Sequence, residues 1–180
     1  MKASKDLFIL ISSLSKSEKG YFKKFTSLHV RGEENQYVKL FDIIEKQNGY
    51  DEQKVIDAMG QTDHPKNFAV LKSYLYDLIL KSLRSYYSQS TPELEIKELI
   101  EYIEILHNKG LYKQCEKIIN KGVALAEKYE LFLPLAELYG WKIEFMHLQN
   151  FTNTNPEELD LIYSSYASFV KKYQNIISYK

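Results

Sequence analysis

The chain predicts an all-α protein, with a helical bundle in its amino-terminal half followed by antiparallel helical hairpins, and three observations carry that expectation. Among 180 residues there are only 7 glycines and 4 prolines, too few for the many turns of a sandwich or barrel of this length. Apolar residues recur every three or four positions over long stretches, the period of a helix with one buried face. Capping phrases precede those stretches, and no alternating strand pattern stands beside them. The run Leu7-Phe8-Ile9-Leu10-Ile11 has strand-like content, but it lacks a partner strand, so helix is the better reading.

The first helix is expected over Lys5 to Ser13. The second opens at Ser15-Lys16-Ser17-Glu18, a capping box in which the serine hydroxyl takes an early backbone N–H and the glutamate reaches back. Tyr21, Phe22, Phe25 and Leu28 give it one apolar face, and Arg31-Gly32 ends it. A third runs from Glu34 to Gln47 around Tyr37, Leu40, Phe41 and Ile44, stopped by Asn48-Gly49. Asp51 caps a short fourth helix with Val55, Ile56 and Met59 inward, closed by Gly60 and Gln61-Thr62-Asp63. The fifth starts at His64-Pro65 and carries Phe68, Leu71, Leu75, Leu78, Ile79 and Leu83 as one stripe. Tyr74, Tyr76, Leu80 and Tyr87 widen that stripe, predicting a helix covered on two sides.

Ser88-Gln89-Ser90 marks a boundary between a domain over residues 1–90 and a second over 91–180. The second reads as four helices in two hairpins. Thr91-Pro92 starts the first, with Leu94, Leu99, Ile103 and Leu106 inward, and Lys109-Gly110 ends it. The next spans Tyr112 to Tyr129, then Leu133 to Gln149. The last opens at Asn155-Pro156-Glu157-Glu158, which joins an N-cap, a first-position proline and first-turn acids. It is helix-compatible to Lys180, and Ile176, Ile177 and Tyr179 are not the polar finish of a repeat array. The expectation is a chain that continues in a longer protein, or an open end that meets another molecule.

Placing Gly110 at the hairpin turn puts Cys115 five residues on, Ile119 nine on and Gly122 twelve on. This spacing is similar to the second helix of a tetratricopeptide repeat, where small residues let paired helices approach and a bulky one fills the gap. That unit's first helix carries a small residue where Ile103 stands here. A second, longer unit follows over Leu133 to Lys180, with Ala136 and Gly140 as small positions and Ala167 on the partner helix. The resemblance covers residues 92–180 and implies an α-solenoid with a concave binding face. The amino-terminal half resembles uncharacterised bacterial proteins carrying Leu14 to Lys19 before Tyr21-Phe22, then Tyr74-Leu75-Tyr76, and Ile79-Leu80 before Ser82-Leu83-Arg84. That resemblance implies no activity.

Composition excludes several classes. With 24 basic and 24 acidic residues the chain is neutral, unlike a whole-molecule phosphate binder. The halves differ little: 14 basic and 11 acidic in residues 1–90, 10 and 13 in residues 91–180. The single cysteine, Cys115, forbids an internal disulfide and fits a reducing compartment. No signal-peptide pattern or membrane-spanning stretch is read, so a cytoplasmic protein is expected. The 15 tyrosines suit wide helix seams and groove walls, although a compositional bias explains them equally well.

No catalytic, cofactor-binding or metal-binding residue emerges. His29, His64, His107 and His147 form none of the local ligand spacings a tetrahedral metal needs. His107 and Cys115 flank one turn and could meet, but a packed histidine and a buried, inert thiol are the better reading. There is no glycine-rich phosphate loop and no nucleophile elbow. Glu33-Glu34, Asp51-Glu52 and Glu157-Glu158 all sit at helix starts, where the helix dipole accounts for them. A non-enzymatic protein-interaction module is therefore expected, binding a protein or peptide through Tyr102, Tyr112, Tyr139, Trp141 and Lys142, or closing against a copy of itself. The alternative is a DNA-binding regulator with a helix-turn-helix made by the short fourth helix and the Pro65–Tyr87 helix. Lys66, Asn67 and Lys72 would face the groove, with Lys16, Lys19, Lys23, Lys24 and Arg31 on phosphates.

Overall fold

The structure, a computed structural model, describes residues 3–29, 36–60, 65–148 and 155–179. These form helices α1 (Ala3–Ser13), α2 (Lys16–His29), α3 (Gln36–Glu45), α4 (Glu52–Met59), α5 (Pro65–Tyr87), α6 (Pro92–Asn108), α7 (Tyr112–Lys128), α8 (Phe132–Leu148) and α9 (Pro156–Ser178). No strand is present among the described residues, so the all-α class stands. The Arg31-Gly32 stop, the Glu33-Glu34 start, Gln61-Thr62-Asp63, His64, Gln149 and Lys180 lie outside the described residues, as do the side chains of His29, Lys66 and Asn67. The chain divides into two compact units, Met1–Tyr87 and Ser88–Lys180.

In the first unit α5 is the spine on which α1, α2 and α3 pack. Leu7 and Ile11 of α1, Phe22 of α2, Leu40, Phe41 and Ile44 of α3, Val55 of α4, and Leu75 and Ile79 of α5 make one core. Phe22 stacks on Phe41 with ring centroids 4.6 Å apart. The capping box forms: the Glu18 carboxylate accepts from the Ser15 N–H at 2.6 Å, and the Ser15 hydroxyl accepts from the Glu18 N–H at 3.3 Å. The other oxygen of Glu18 accepts from the Tyr87 hydroxyl at 2.9 Å, tying the start of α2 to the end of α5. The Ser15 bonds, then Tyr87, hold the Glu18 carboxyl below the ordinary carboxylate range. Asp51 caps α4 by accepting from the Lys54 N–H at 3.2 Å, and Gly60 closes that helix at φ 70°, where glycine has no Cβ to strain.

Two details differ from the sequence reading. Leu28 is 82% exposed, because six residues beyond Phe22 a helix has turned well off the buried face. Thr26, one turn after Phe22, is buried instead, and its hydroxyl donates to the Phe22 and Lys23 carbonyls at 3.1 and 2.9 Å. Tyr74, Leu80 and Tyr87 are exposed while Tyr76 is half-buried against the core, so the widened face of α5 is covered only in part among the described residues. Tyr74 instead stacks on Tyr37 at 4.8 Å, with its ring half-shielded and its edge in water.

The second unit is a run of sequential neighbours, α6 on α7, α7 on α8 and α8 on α9. The Thr91 hydroxyl caps α6 by accepting from the Leu94 N–H at 3.3 Å. At the α6–α7 turn Gly110 takes φ 72°, and the Leu111 N–H closes back on the Leu106 carbonyl at 3.0 Å. The α7–α8 turn repeats this geometry with Glu130 at φ 53° and the Leu131 N–H bonded to the Ala126 carbonyl at 2.9 Å. Ile96, Ile103, Cys115, Ile119, Leu135 and Leu138 form the core.

Cys115 is fully buried with its thiol directed at the Ile103 carbonyl, 3.7 Å away. Burial raises the pKa of that thiol, keeping it protonated. The bulky Ile103 thus packs over a small partner, with the small residue supplied by α7 alone. Gly122 is also buried, but its close neighbour is on α8 rather than α6: a Cβ added there would lie 3.0 Å from Leu138 Cδ2. Ala167, expected as a small contact position, is exposed, while a Cβ added at Gly140 would lie 3.9 Å from Cε2 of the Tyr166 ring. The crossing is made by tyrosine over glycine, so Ala167 is rotated to solvent.

Candidate partner-binding groove

The antiparallel run of α7, α8 and α9 leaves a groove of about 390 Å³ at one end of the second unit. Helix α7 supplies Tyr112, Lys113, Glu116, Ile119 and Asn120 from its first half, and α8 supplies Lys142, Phe145 and Met146 from its second half. Glu158 and Ile162 come from the start of α9. These meet because a short turn reverses the chain between α7 and α8, placing the beginning of one beside the end of the other. Ile119, Phe145, Met146 and Ile162 give an apolar floor, and Met146 supplies a side chain able to adapt its shape. Lys113, Glu116, Lys142 and Glu158 stand around it, and none makes an ion pair among the described residues. Charged groups elsewhere do pair, as Lys121 does with Glu95 at 3.1 Å.

Beside the groove, His107 at the end of α6 is ringed by aromatic side chains. Its imidazole lies 5.7 Å from Tyr112, 5.4 Å from Trp141 and 5.7 Å from Phe145, centroid to centroid. Its Nε2 is shielded from solvent and meets no hydrogen-bond partner among the described residues, and the ring packs among these aromatic side chains. His107 and Cys115 keep different company, aromatic rings for one and the Ile103 carbonyl for the other.

The five residues expected to face a partner are therefore split. Tyr112 and Lys142 share the groove. Trp141 is half-buried in the aromatic cluster and is chiefly packing. Tyr139 is half-buried against Phe169 at 5.1 Å, with the Lys142 ammonium 4.8 Å above its ring. Burial first, then Glu127, raises its phenol pKa. Tyr102 is exposed on α6 and is not a groove residue. Sequence reasoning missed Lys113, Glu116, Phe145, Met146, Glu158 and Ile162. Their signal was faint, because they come from three helices whose mutual rotation no single periodicity reveals.

The residues considered for nucleic acid fare differently. Lys19 pairs with Glu45 at 3.2 Å and Lys23 with Asp42 at 2.8 Å, the latter contact raising the lysine's pKa. Lys72 is 4% exposed, donates to Glu52 at 2.8 Å and lies 4.9 Å above the Phe68 ring. It pins α4 to α5 and is not presented to a groove. Arg31 lies outside the described residues, as do the side chains of Lys66 and Asn67.

Among the described residues no cluster of three or more metal-ligating side chains occurs, and no helix is long and apolar enough to cross a membrane. Comparison of the chain with family models, curated proteins and solved structures finds no match.

Proposed function

We propose that the protein is a non-enzymatic, cytoplasmic interaction module, whose second unit is a tetratricopeptide-like pair of hairpins that receives a peptide segment in the α7–α8–α9 groove. One observation carries the reading: an apolar floor rimmed by two lysines and two glutamates that have no ionic partner among the described residues. A volume of about 390 Å³ takes a few bulky side chains but not a whole helix, whose diameter is about 10–12 Å. The partner therefore lies across the mouth and inserts apolar anchors between charges of both signs, which set register and exclude wrong partners. Mutual positioning of small and bulky residues at Cys115, Gly122 and Gly140 supports the repeat-like reading.

The test is a photo-crosslinking amino acid placed at Lys113, and separately at the exposed Lys97 of α6, in the native cell. A discrete adduct from position 113 that disappears with I162K, and is absent from position 97, is the expected result. Equal labelling at both positions, or an adduct indifferent to Ile162, ends the proposal.

A further inference from the structure

Helix α9 packs mainly on α8 and none of its residues is fully buried. Its contact seam runs through Ile162, Tyr166 and Phe169. The ridge on the opposite side, Glu157, Leu161, Ser164, Ser168 and Lys171, repeats every three or four residues and is exposed along its length. Leu161 is 65% exposed.

This ridge is complementary to itself when reversed. Glu157 stands seven residues before Ser164 and Lys171 seven after it; Leu161 stands three before and Ala167 three after. Seven residues are close to two helical turns, about 10 Å along the axis. A two-fold axis through Ser164 therefore sets each Glu157 against the other copy's Lys171, and each Leu161 against the other copy's Ala167. Neither Glu157 nor Lys171 has an ionic partner among the described residues. The helix dipole accounts for an acid in the first turn, but it gives no reason for Lys171 on the same ridge. The hydroxyl at the axis is already satisfied, since Ser164 donates to the Leu161 carbonyl at 3.0 Å, so covering it strands no donor. Small groups there allow the close interaxial approach that an isologous contact between helices needs.

We propose that α9 is the self-association surface of this protein, pairing antiparallel with α9 of a second copy about an axis at Ser164. The contact is independent of the groove reading, because Glu157, Leu161, Ser164, Ala167 and Lys171 do not line the groove.

Sedimentation equilibrium of the full chain over a range of concentrations tests it. The expected result is a monomer–dimer equilibrium that weakens with added salt, because exposed charge pairs are screened. E157K and K171E each replace two attractions with two repulsions and weaken the dimer about tenfold or more, while E157K/K171E together restore it. S164C forms a disulfide-linked dimer, because only a residue on the axis meets its own counterpart; buried Cys115 does not contribute. Helix content by circular dichroism stays unchanged in all four variants, separating loss of association from loss of fold. A chain that is monomeric throughout, a dimer blind to both reversals, or a double variant that fails to recover overturns the proposal.

Discussion

Gly122 decides how closely α7 and α8 can lie, and G122A in one pair of backgrounds measures it. In an ordinary helix interior, Gly→Ala stabilises by about 0.8–1.0 kcal/mol, since alanine loses less chain entropy on folding. Here the new Cβ would sit 3.0 Å from Leu138 Cδ2 and 3.1 Å from Cδ1, both too close. Leu138 is fully buried, so overpacking there costs about 1–3 kcal/mol. The sum is a net loss on the order of 1 kcal/mol. L138A alone costs about 2–5 kcal/mol by leaving a cavity. It also removes both clashing atoms, so G122A in that background gains about 1 kcal/mol instead. The two residues should therefore show a coupling of about 2 kcal/mol with reversed sign for the same substitution. Urea unfolding followed by Trp141 emission is the assay, since the chain's single tryptophan lies in the second unit. Equal stabilisation by G122A in both backgrounds would refute the inference that Gly122 sets the α7–α8 distance.

Three further outcomes follow from the same geometry. K72M should leave the first unit near its original stability, because an apolar chain of similar length needs no desolvation; E52Q, which leaves a 4% exposed ammonium without its carboxylate, should cost about 1–3 kcal/mol more, read from urea midpoints. Glu18 has its carboxyl pKa depressed by Ser15 and Tyr87, so its contribution is present above the ordinary carboxylate value of 4.5 and is lost as pH falls through the lower folded value. The stability difference between the native chain and E18Q should accordingly vanish at low pH, and a difference that grows on acidification contradicts the assignment. Cys115 is fully buried and its thiol pKa is raised, so its reaction with a disulfide reagent should proceed only through opening of the second unit and accelerate with urea in step with Trp141 emission.

Much of the helical framework was written locally. Ser15 with Glu18, Asp51 before α4, Thr91-Pro92 and Asn155-Pro156 are capping signals whose partners lie two or three residues away, so the sequence displays both halves of each interaction. Stripes such as Leu40, Phe41 and Ile44 were equally plain. What could not be read is what depends on rotation between helices. Leu28 fits an apolar pattern yet points to water, Ala167 was read as a contact position yet is exposed beside the Gly140–Tyr166 crossing, and Lys72 looked like a surface cation until Glu52 and Phe68 were folded onto it. The groove belongs to that class. Tyr112 and Lys142 were read as facing a partner, and they come together with Glu158 and Ile162 only once α8 and α9 fold alongside α7.

The two units also differ in how far apart in the chain their contacts lie, and synthesis exposes the difference. In the first unit Tyr21 hydrogen-bonds Ser85, 64 positions away, and Glu18 bonds Tyr87, 69 away. Helix α2 therefore leaves the ribosome without its main packing surface and must wait for α5 before it can close. The second unit has no such delay, because each helix docks on the one made just before it. Its assembly can keep pace with translation, one hairpin at a time, whereas the first half depends for its early lifetime on whatever shields nascent apolar faces.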